Sequence, residues 1–370
     1  MHKVLVAIGT RPEVIKMAPV IRALKAIPSL ETITLATAQH REMLDQMLNT
    51  FDITPDIDLN VMTKRQTLAT LTAKLSCPLD ALFKKLRPNM ILAQGDTTTT
   101  FMVGLSSYYQ KIPFGHIEAG LRTGKPFSPF PEEMNRQLLT RLATWHFAPT
   151  KTSKDNLLKE GIDASQIFVT GNTVIDAVDT IVKKVPKKNK ARQIFVTTHR
   201  RENIGKPQEN ICKALLDILD LHPDTHLLLP VHPNPFVAKT IRKYLEKHPR
   251  ITLSPPLDYP TLISELKNSS LILSDSGGIQ EEAVRLGIPL LILRDTTDRP
   301  EAVLAGCSQL IGTDRKDIIQ AANLLLKDSS TQKKIQKNLY GDGQAGVRIA
   351  LHVQKILQST YTNRESRIGV

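Results

Sequence analysis

"LILSDSGGIQEEAVRLG", Leu271 to Gly287, joins a short apolar run to a helix-forming run through small residues. The apolar run is continuous rather than alternating, as in a parallel strand buried on both faces. Ser276, Gly277 and Gly278 are expected to form a loop whose amides approach an anion closely at the start of the helix. The helix dipole contributes roughly 0.3–2 kcal/mol to such binding. Two carboxylates, Glu281 and Glu282, nevertheless follow at once. A phosphate would be repelled by them, whereas a hydroxyl would not. Glu282, about one turn beyond the glycines, suits hydroxyls as the acidic residue of dinucleotide folds suits ribose. A ligand carrying both a diphosphate and a ribose satisfies the whole stretch, which describes a nucleotide sugar. Glu281 points about 100° away from Glu282 on a helix and is expected to be structural.

The same strand–turn–helix unit recurs along the chain. Strands are expected at "KVLVAI", "TITLAT", "MILAQ", "PFGHIE" and "WHFAP", with amphipathic stretches such as "PEVIKMAPVIRALKAI" between them. A second series follows: "QIFVTT", "HLLLPV", "ITLS", "LILSD", "PLLIL" and "SQLIG". Between the series lies "KKVPKKNKAR", Lys183 to Arg192, where Pro186 and Asn189 indicate a solvated linker. The expected class is α/β, with two Rossmann-like doubly wound domains and a cleft between them. We place the domains at residues 1–170 and 171–354, with a C-terminal helix at about 355–370 packing back on the first. Ligands of such sheets bind at the carboxyl ends of strands, where functional residues should gather.

A chain of 370 residues is long enough for two cores of ordinary size. No apolar run approaches the roughly 18 residues of a membrane-spanning helix. The N-terminus, "MHKVLVAIGTRPE", meets Gly9, Arg11, Pro12 and Glu13 too early for a secretory signal, so a cytoplasmic location and no membrane partner are expected. Cys77, Cys212 and Cys307 are far apart and lack CxxC spacing, and His222 and His226 are separated by Pro223 and Asp224. Reduced thiols and no metal site are therefore expected. Lys plus Arg exceed Asp plus Glu by 49 to 36, a net charge of +13, which favours an anionic partner. With only 5% aromatic residues and no aromatic–basic interleaving, that partner is a small phosphorylated ligand rather than a nucleic acid.

Four further clusters lie just after expected strands. "GTRPEVIK" offers Gly9 for a turn, Pro12 at a helix start, and the cations Arg11 and Lys16, a phosphate site that is neither GxGxxG nor a Walker loop. Three acids occupy consecutive strand ends: Asp96 in "QGDTTTT", Glu118 in "GHIEAGLR", and Glu132, beside Glu133, in "PFPEEMNR". One such acid could merely cap a helix, but three brought together raise one another's pKa and can supply both a base and a protonated acid. "TTHRRENIG" sets His199 beside Arg200 and Arg201, groups that can bind or protonate a leaving phosphate. "VHPNP" places His232 in another strand-end loop, and "RDTTDRPEAV" adds Arg299 and Glu301 at a helix start.

In this order, "GTRPEVIKMAPVI", "AQHREMLDQ", "GDTTTTF", "GHIEAGLRT", "PFPEEMNR", "VTGNTVIDA", "HRREN", "SDSGGIQEEA" and "RDTTDRPEAV" resemble the bacterial non-hydrolysing UDP-N-acetylglucosamine 2-epimerases, from Met1 to about Ala350. The resemblance implies a GT-B fold and a homodimer with no cofactor. It further implies reversible interconversion of UDP-GlcNAc and UDP-ManNAc, by UDP elimination and re-addition through 2-acetamidoglucal, for cell-surface polysaccharide precursors. By resemblance, Asp96, Glu118, Glu132 and His199 are catalytic. Arg11, Lys16, Ser276, Gly277, Gly278, Glu282 and Arg299 contact substrate, with the backbone near Leu257 pairing with uracil. Gln39, His40 and Met43 of "QHREM", together with Arg200 and His232, are implied to bind a second UDP-GlcNAc as allosteric activator. Two positions depart from the pattern: Gln94 stands where members often have His, and Leu262 where an aromatic often lies beside uracil. A hydrolysing 2-epimerase releasing ManNAc and UDP, or a GT-B glycosyltransferase, are the alternatives.

Overall fold

The computed structural model describes residues 1–37, 41–61, 63, 66–185, 192–327 and 335–368. The chain divides into two compact units, Met1–Ala177 with Gly341–Val370, and Val178–Tyr340. The first unit begins with β1 (His2–Ile8), α1 (Arg11–Lys25), β2 (Leu30–Ala36), α2 (Arg41–Thr50), β3 (Ile57–Asp58), α3 (Leu68–Leu86), β4 (Met90–Gln94) and α4 (Thr98–Tyr109). It continues with β5 (Phe114–Ile117), α5 (Glu132–Leu142), β6 (Trp145–Ala148), α6 (Lys151–Lys159), β7 (Ile167–Val169) and α7 (Thr173–Val182), within which the units change over. The second unit holds β8 (Arg192–Thr197), α8 (Lys206–Leu221), β9 (Thr225–Pro230), α9 (Pro235–Leu245), β10 (Ile251–Ser254), α10 (Tyr259–Lys267) and β11 (Leu271–Ser274). After these come α11 (Gly277–Leu286), β12 (Leu290–Ile292), α12 (Pro300–Leu304), β13 (Ser308–Leu310) and α13 (Arg315–Lys327), and α14 (Ala345–Ile368) rejoins the first unit.

The sheet orders are β3-β2-β1-β4-β5-β6-β7 and β10-β9-β8-β11-β12-β13, and every pairing is parallel. Both orders reverse direction once, between β1 and β4 and between β8 and β11. Ligands of doubly wound sheets bind at that reversal, outside the carboxyl ends of the strands. The loops that flank it are "GTRPE" with "QGDT" in the first unit, and "THRREN" with "SDSGG" in the second. Position in the fold thus singles out the same segments that composition did.

The continuous apolar runs do become two-faced strands: all residues of β4 and β11 are buried. Leu5, Ile91 and Phe114 lie in the first core, and Ile194, Leu229 and Leu273 in the second. The sequence reading missed β3 and β7, strands of two and three residues at the edges of their sheet, too short to carry a periodic signal. α14 lies against α1, where a Cβ on Gly346 would come within 2.8 Å of the Pro19 carbonyl carbon. No helix among the described residues is long and apolar enough to cross a membrane.

Gly120 of "GHIEAGLR" shows how tightly one strand-end turn is built. It has φ +90°, and a Cβ there would lie 2.2 Å from the Ser153 backbone oxygen. Its own carbonyl accepts from Asn156 Nδ2 at 3.0 Å. Gly124, with φ +72°, would meet nothing within 4 Å. Gly124→Ala should therefore cost about 1 kcal/mol, the backbone term alone, and Gly120→Ala at least about 3 kcal/mol because a backbone must also move. Calorimetric melting of both variants checks this; equal shifts would contradict it.

Candidate active site

The carboxyl edge of the first sheet gathers several acids, of which Glu13, Glu118, Asp96 and Glu133 are provided with donors. Glu13 is the N3 residue of α1 in a capping box begun by Thr10. Its Oε2 accepts the Gly9 and Thr10 amides, each at 2.7 Å, while Oε1 accepts the Thr97 and Thr100 hydroxyls at 2.6 and 2.9 Å. Burial raises its pKa against the opposing effect of these bonds. Glu13 thereby ties the turn after β1 to the start of α4, the two sides of the sheet's reversal. Its sequence signal was the T-x-x-E spacing of "TRPE", to which the sequence reading gave no role.

Glu118 immediately follows β5 with φ +64°, a left-handed conformation that costs a non-glycine residue on the order of 1 kcal/mol. Its carboxylate is paired with Lys16, accepts from Gln94 Nε2, and accepts from Asn172 Nδ2 at 2.8 Å. Asn172 is itself oriented, because its Oδ1 accepts the Val174 amide at 3.1 Å at the start of α7. The structure thus holds Lys16, read from sequence as a nucleotide-side cation, against Glu118, with only 6% of the residue exposed. Gln94, the departure from the pattern, supplies one of the donors to Glu118. Neither partner was visible in the spacing of the motifs.

Asp96 sits two residues beyond β4, and the turn that carries it touches the Glu118 site: a Cβ on Gly95 would lie 3.8 Å from Glu118 Oε2. The Gly95 amide donates to the Ile117 carbonyl at 3.0 Å, and the Gly95 carbonyl accepts from His116 Nε2 at 2.7 Å. Burial pushes His116 down to about 4, so at neutral pH the ring is uncharged and Nε2 carries its proton. The Asp96 carbonyl accepts from Asn135 Nδ2 at 2.8 Å, and its side chain accepts from Arg136. Glu132 is the first residue of α5 and half-buried. Glu133, its neighbour, is fully buried and accepts the Thr123 and Gly124 amides at 3.0 and 3.2 Å. The inward Glu133 is therefore a structural acid, bonded to the backbone of the Thr123–Gly124 turn.

In the second unit the central group is Asp275, a residue of the opening stretch to which sequence reading gave no role. It is fully buried and accepts the His199 and Arg200 amides at 2.9 Å each, the Thr198 hydroxyl at 3.0 Å and Asn203 Nδ2 at 3.0 Å. His199 Nδ1 lies 3.1 Å from Asp275 Oδ1. Burial opposes ionisation of Asp275, but the His199 side chain and the two amides outweigh it and hold the acid at about 2. A carboxylate at Nδ1 selects the tautomer with the proton there and leaves Nε2 as the acting nitrogen. The His232 ring stacks on His199, with centroids 5.5 Å apart and planes 18° apart, and burial, followed by repulsion from His199, lowers the His232 pKa. Arg200 Nε also donates to the Asp275 carbonyl at 3.3 Å. His199, Arg200 and His232 are one cluster around Asp275.

Ser276 is the N-cap of α11, and Gly277 and Gly278 are its first two residues rather than a preceding loop. The helix begins earlier than expected, so the amides of both glycines point along its axis. A Cβ on Gly277 would lie 2.8 Å from Arg299 Nη1, and one on Gly278 would meet nothing within 4 Å. Arg299 is held over this helix end by Asp298 at 2.6 Å and by Glu281 at 2.9 Å. Glu281 thus faces inward as an anchor, while Glu282 follows on the next position. Arg294, which the sequence did not single out, is 2% exposed and pairs with Asp298 at 3.6 Å and Glu202 at 3.7 Å. Its pKa is lowered by burial and next by Arg200.

Leu257 and Leu262 are both half-buried, the former just before α10 and the latter within it. Arg11 is the first residue of α1 and half-buried. Gln39 and His40 lie outside the described residues, as does the side chain of Met43 in α2. Cys77, Cys212 and Cys307 are free thiols, and burial pushes Cys212 up to about 12. Among the described residues no group of His, Cys, Asp and Glu is arranged to hold a metal ion.

Comparison with known proteins bears directly on this arrangement. The UDP-N-acetylglucosamine 2-epimerase family profile matches residues 22–354. The UDP-N-acetylglucosamine 2-epimerase of Bacillus subtilis is 48% identical over 355 residues, covering 94% of this chain and 93% of the relative. That of Escherichia coli K12 is 46% identical over 364 residues, covering 94% and 97%. The crystal structure of UDP-GlcNAc 2-epimerase from Neisseria meningitidis bound to UDP-GlcNAc has 43% identity and a TM-score of 0.92, covering 95% of this chain and all of that one. The two Rossmann-like units are those of the GT-B fold. By sequence, fold and length alike, this chain belongs to the UDP-N-acetylglucosamine 2-epimerase family.

Proposed function

We propose that this chain is the non-hydrolysing isomerase of its family, interconverting UDP-GlcNAc and UDP-ManNAc by eliminating and re-adding UDP. The observation that carries this reading is the group of acids at the carboxyl edge of the first sheet, with Asp96 oriented by Arg136, Glu118 oriented by Lys16, Gln94 and Asn172, and Glu132 at the start of α5. Epimerisation at C2 requires a base on one face of the sugar and an acid on the other, and Asp96, Glu118 and Glu132 supply such groups. One carboxylate takes the C2 proton as the C1–oxygen bond breaks and its electron pair leaves with UDP. The C1–C2 double bond of 2-acetamidoglucal forms in the same step. Re-addition of UDP at C1 then returns a proton to C2 from the opposite face. His199, with Nε2 as its acting nitrogen, is suited to the departing diphosphate. Gly277, Gly278 and Arg299 bind that diphosphate, Arg11 adds charge to it, and Glu282 accepts from the ribose hydroxyls. Leu257 and Leu262 hold uracil without aromatic stacking.

Homology with the epimerase of Neisseria meningitidis, whose structure contains UDP-GlcNAc, supports the ligand. The "QHREM" segment supports the non-hydrolysing subtype, with Arg200 and His232 completing a site for UDP-GlcNAc as activator. The reading includes a homodimer working in the cytoplasm on precursors of surface polysaccharide.

In D2O, the purified protein should place deuterium at C2 of both epimers with no build-up of free sugar, as read by proton NMR. Retained hydrogen at C2 would exclude elimination, and accumulating ManNAc would indicate the hydrolysing reaction. Asp96→Asn, Glu118→Gln and Glu132→Gln should each lower kcat by about 10²–10⁴-fold. UDP affinity, measured by titration calorimetry, should stay within about threefold in each variant, since its binding groups are elsewhere. Undiminished turnover in all three would favour a glycosyltransferase instead.

Asp275→Asn should release the tautomer of His199 and reduce kcat by on the order of 10²–10⁴-fold, in the same direction as His199→Ala. An Asp275→Asn enzyme with normal turnover and normal melting would show that the orientation of His199 is immaterial.

A further inference from the structure

We propose that Arg136 is the positioning residue of Asp96, turning that carboxylate so that one chosen oxygen meets the substrate. The inference rests on the reading of Asp96 as a proton-transferring acid. Arg136 belongs to "PFPEEMNR" on α5, is 4% exposed, and has no role in the sequence reading. Its Nε and Nη2 both reach Asp96 Oδ2 at 2.8 Å. An arginine that serves only to neutralise a carboxylate favours the two-oxygen fork, one nitrogen to each oxygen. Here both nitrogens fall on the same oxygen, and among the described residues nothing donates to Oδ1. The pair therefore fixes the plane of the carboxylate while leaving one oxygen for other chemistry.

Two features show that this geometry is imposed rather than incidental. The backbone beneath the side chain is held by His116 at the Gly95 carbonyl and Asn135 at the Asp96 carbonyl, at 2.7 and 2.8 Å. Only the side-chain torsions of Asp96 remain to be set. Arg136 in turn is braced from behind, its Nη1 donating to Glu133 Oε2 at 3.2 Å. Glu133 is anchored by the Thr123 and Gly124 amides, so a rigid relay runs from that turn through Glu133 and Arg136 to Asp96. A planar guanidinium transmits orientation along such a relay, whereas the single ammonium of lysine transmits charge and little direction. It also gives the inward glutamate of "PFPEEMNR" its task, which is to brace the arginine.

The test uses full-length Arg136→Met and Arg136→Lys, with kcat, KM for UDP-GlcNAc, the rate of C2 deuterium incorporation, UDP affinity and melting temperature measured on each. Arg136→Met should lose about 100-fold in kcat and in deuterium incorporation together, with KM and UDP affinity within about threefold of the parent. Arg136→Lys should recover part of that loss. A kcat within about threefold of the parent in Arg136→Met would overturn the proposal, as would a loss expressed mainly in KM or UDP affinity. Should Arg136→Met fail to fold, Arg136→Lys and Glu133→Gln decide: reduced kcat at unchanged KM upholds the relay, and parental kcat in both overturns it. Asp96→Asn is measured in parallel to separate the two ideas. If it turns over at the parental rate, the reading of Asp96 falls and the positioning role falls with it. If it is inactive while Arg136→Met is unimpaired, the positioning role alone fails.

Discussion

A carboxylate taken out of water must be given donors, and in this protein that requirement organises the ends of the strands. Glu13, Glu118, Glu133, Asp275 and Glu281 are all buried, and each is met by amides, hydroxyls, carboxamides or a cation. Those partners come from segments distant in sequence: Glu13 joins the turn after β1 to α4, Glu118 joins β5 to α1, β4 and α7, and Asp275 joins β11 to the turn after β8. Removing the acid from any of these points would strand several donors at once. The carboxyl edge of each sheet is thus stitched together by the groups that line it.

The same requirement divides labour within each motif. In "PFPEEMNR" the inward Glu133 is consumed by backbone amides and Arg136, while its neighbour Glu132 is only half-buried. In "DSGGIQEE" the inward Glu281 is consumed by Arg299, which lies over the start of the helix. The electrostatic conflict at the start of α11, an anion cradle followed by two carboxylates, is resolved by Arg299, whose guanidinium lies between Glu281 and the helix end. Charge that looked adverse in one dimension is compensated in three.

Much of the fold was legible because parallel sheets bury strands on both faces, so β1, β4, β8 and β11 stand out as unbroken apolar runs. β3 and β7 were not legible, since two or three residues at a sheet edge carry no period and exist only because a neighbouring strand pairs with them. The candidate segments were singled out for a related reason. In a doubly wound sheet they follow strands at the point where strand order reverses, and their turn residues, acids and cations are local in sequence.

The amino-acid sequence by itself determined the α/β class, the strand-end location of the candidate segments, and the family to which the chain belongs, because each is written in contiguous residues. Tertiary structure alone decided what each polar group does. It paired Lys16 with Glu118, gave Gln94 and Asn172 the task of holding that acid, made Asp275 the hub around His199, and set Arg136 on one oxygen of Asp96. Those assignments depend on which donors arrive from other strands and helices, and hydrogen bonds across 24 to 102 residues leave no trace in the spacing of any motif.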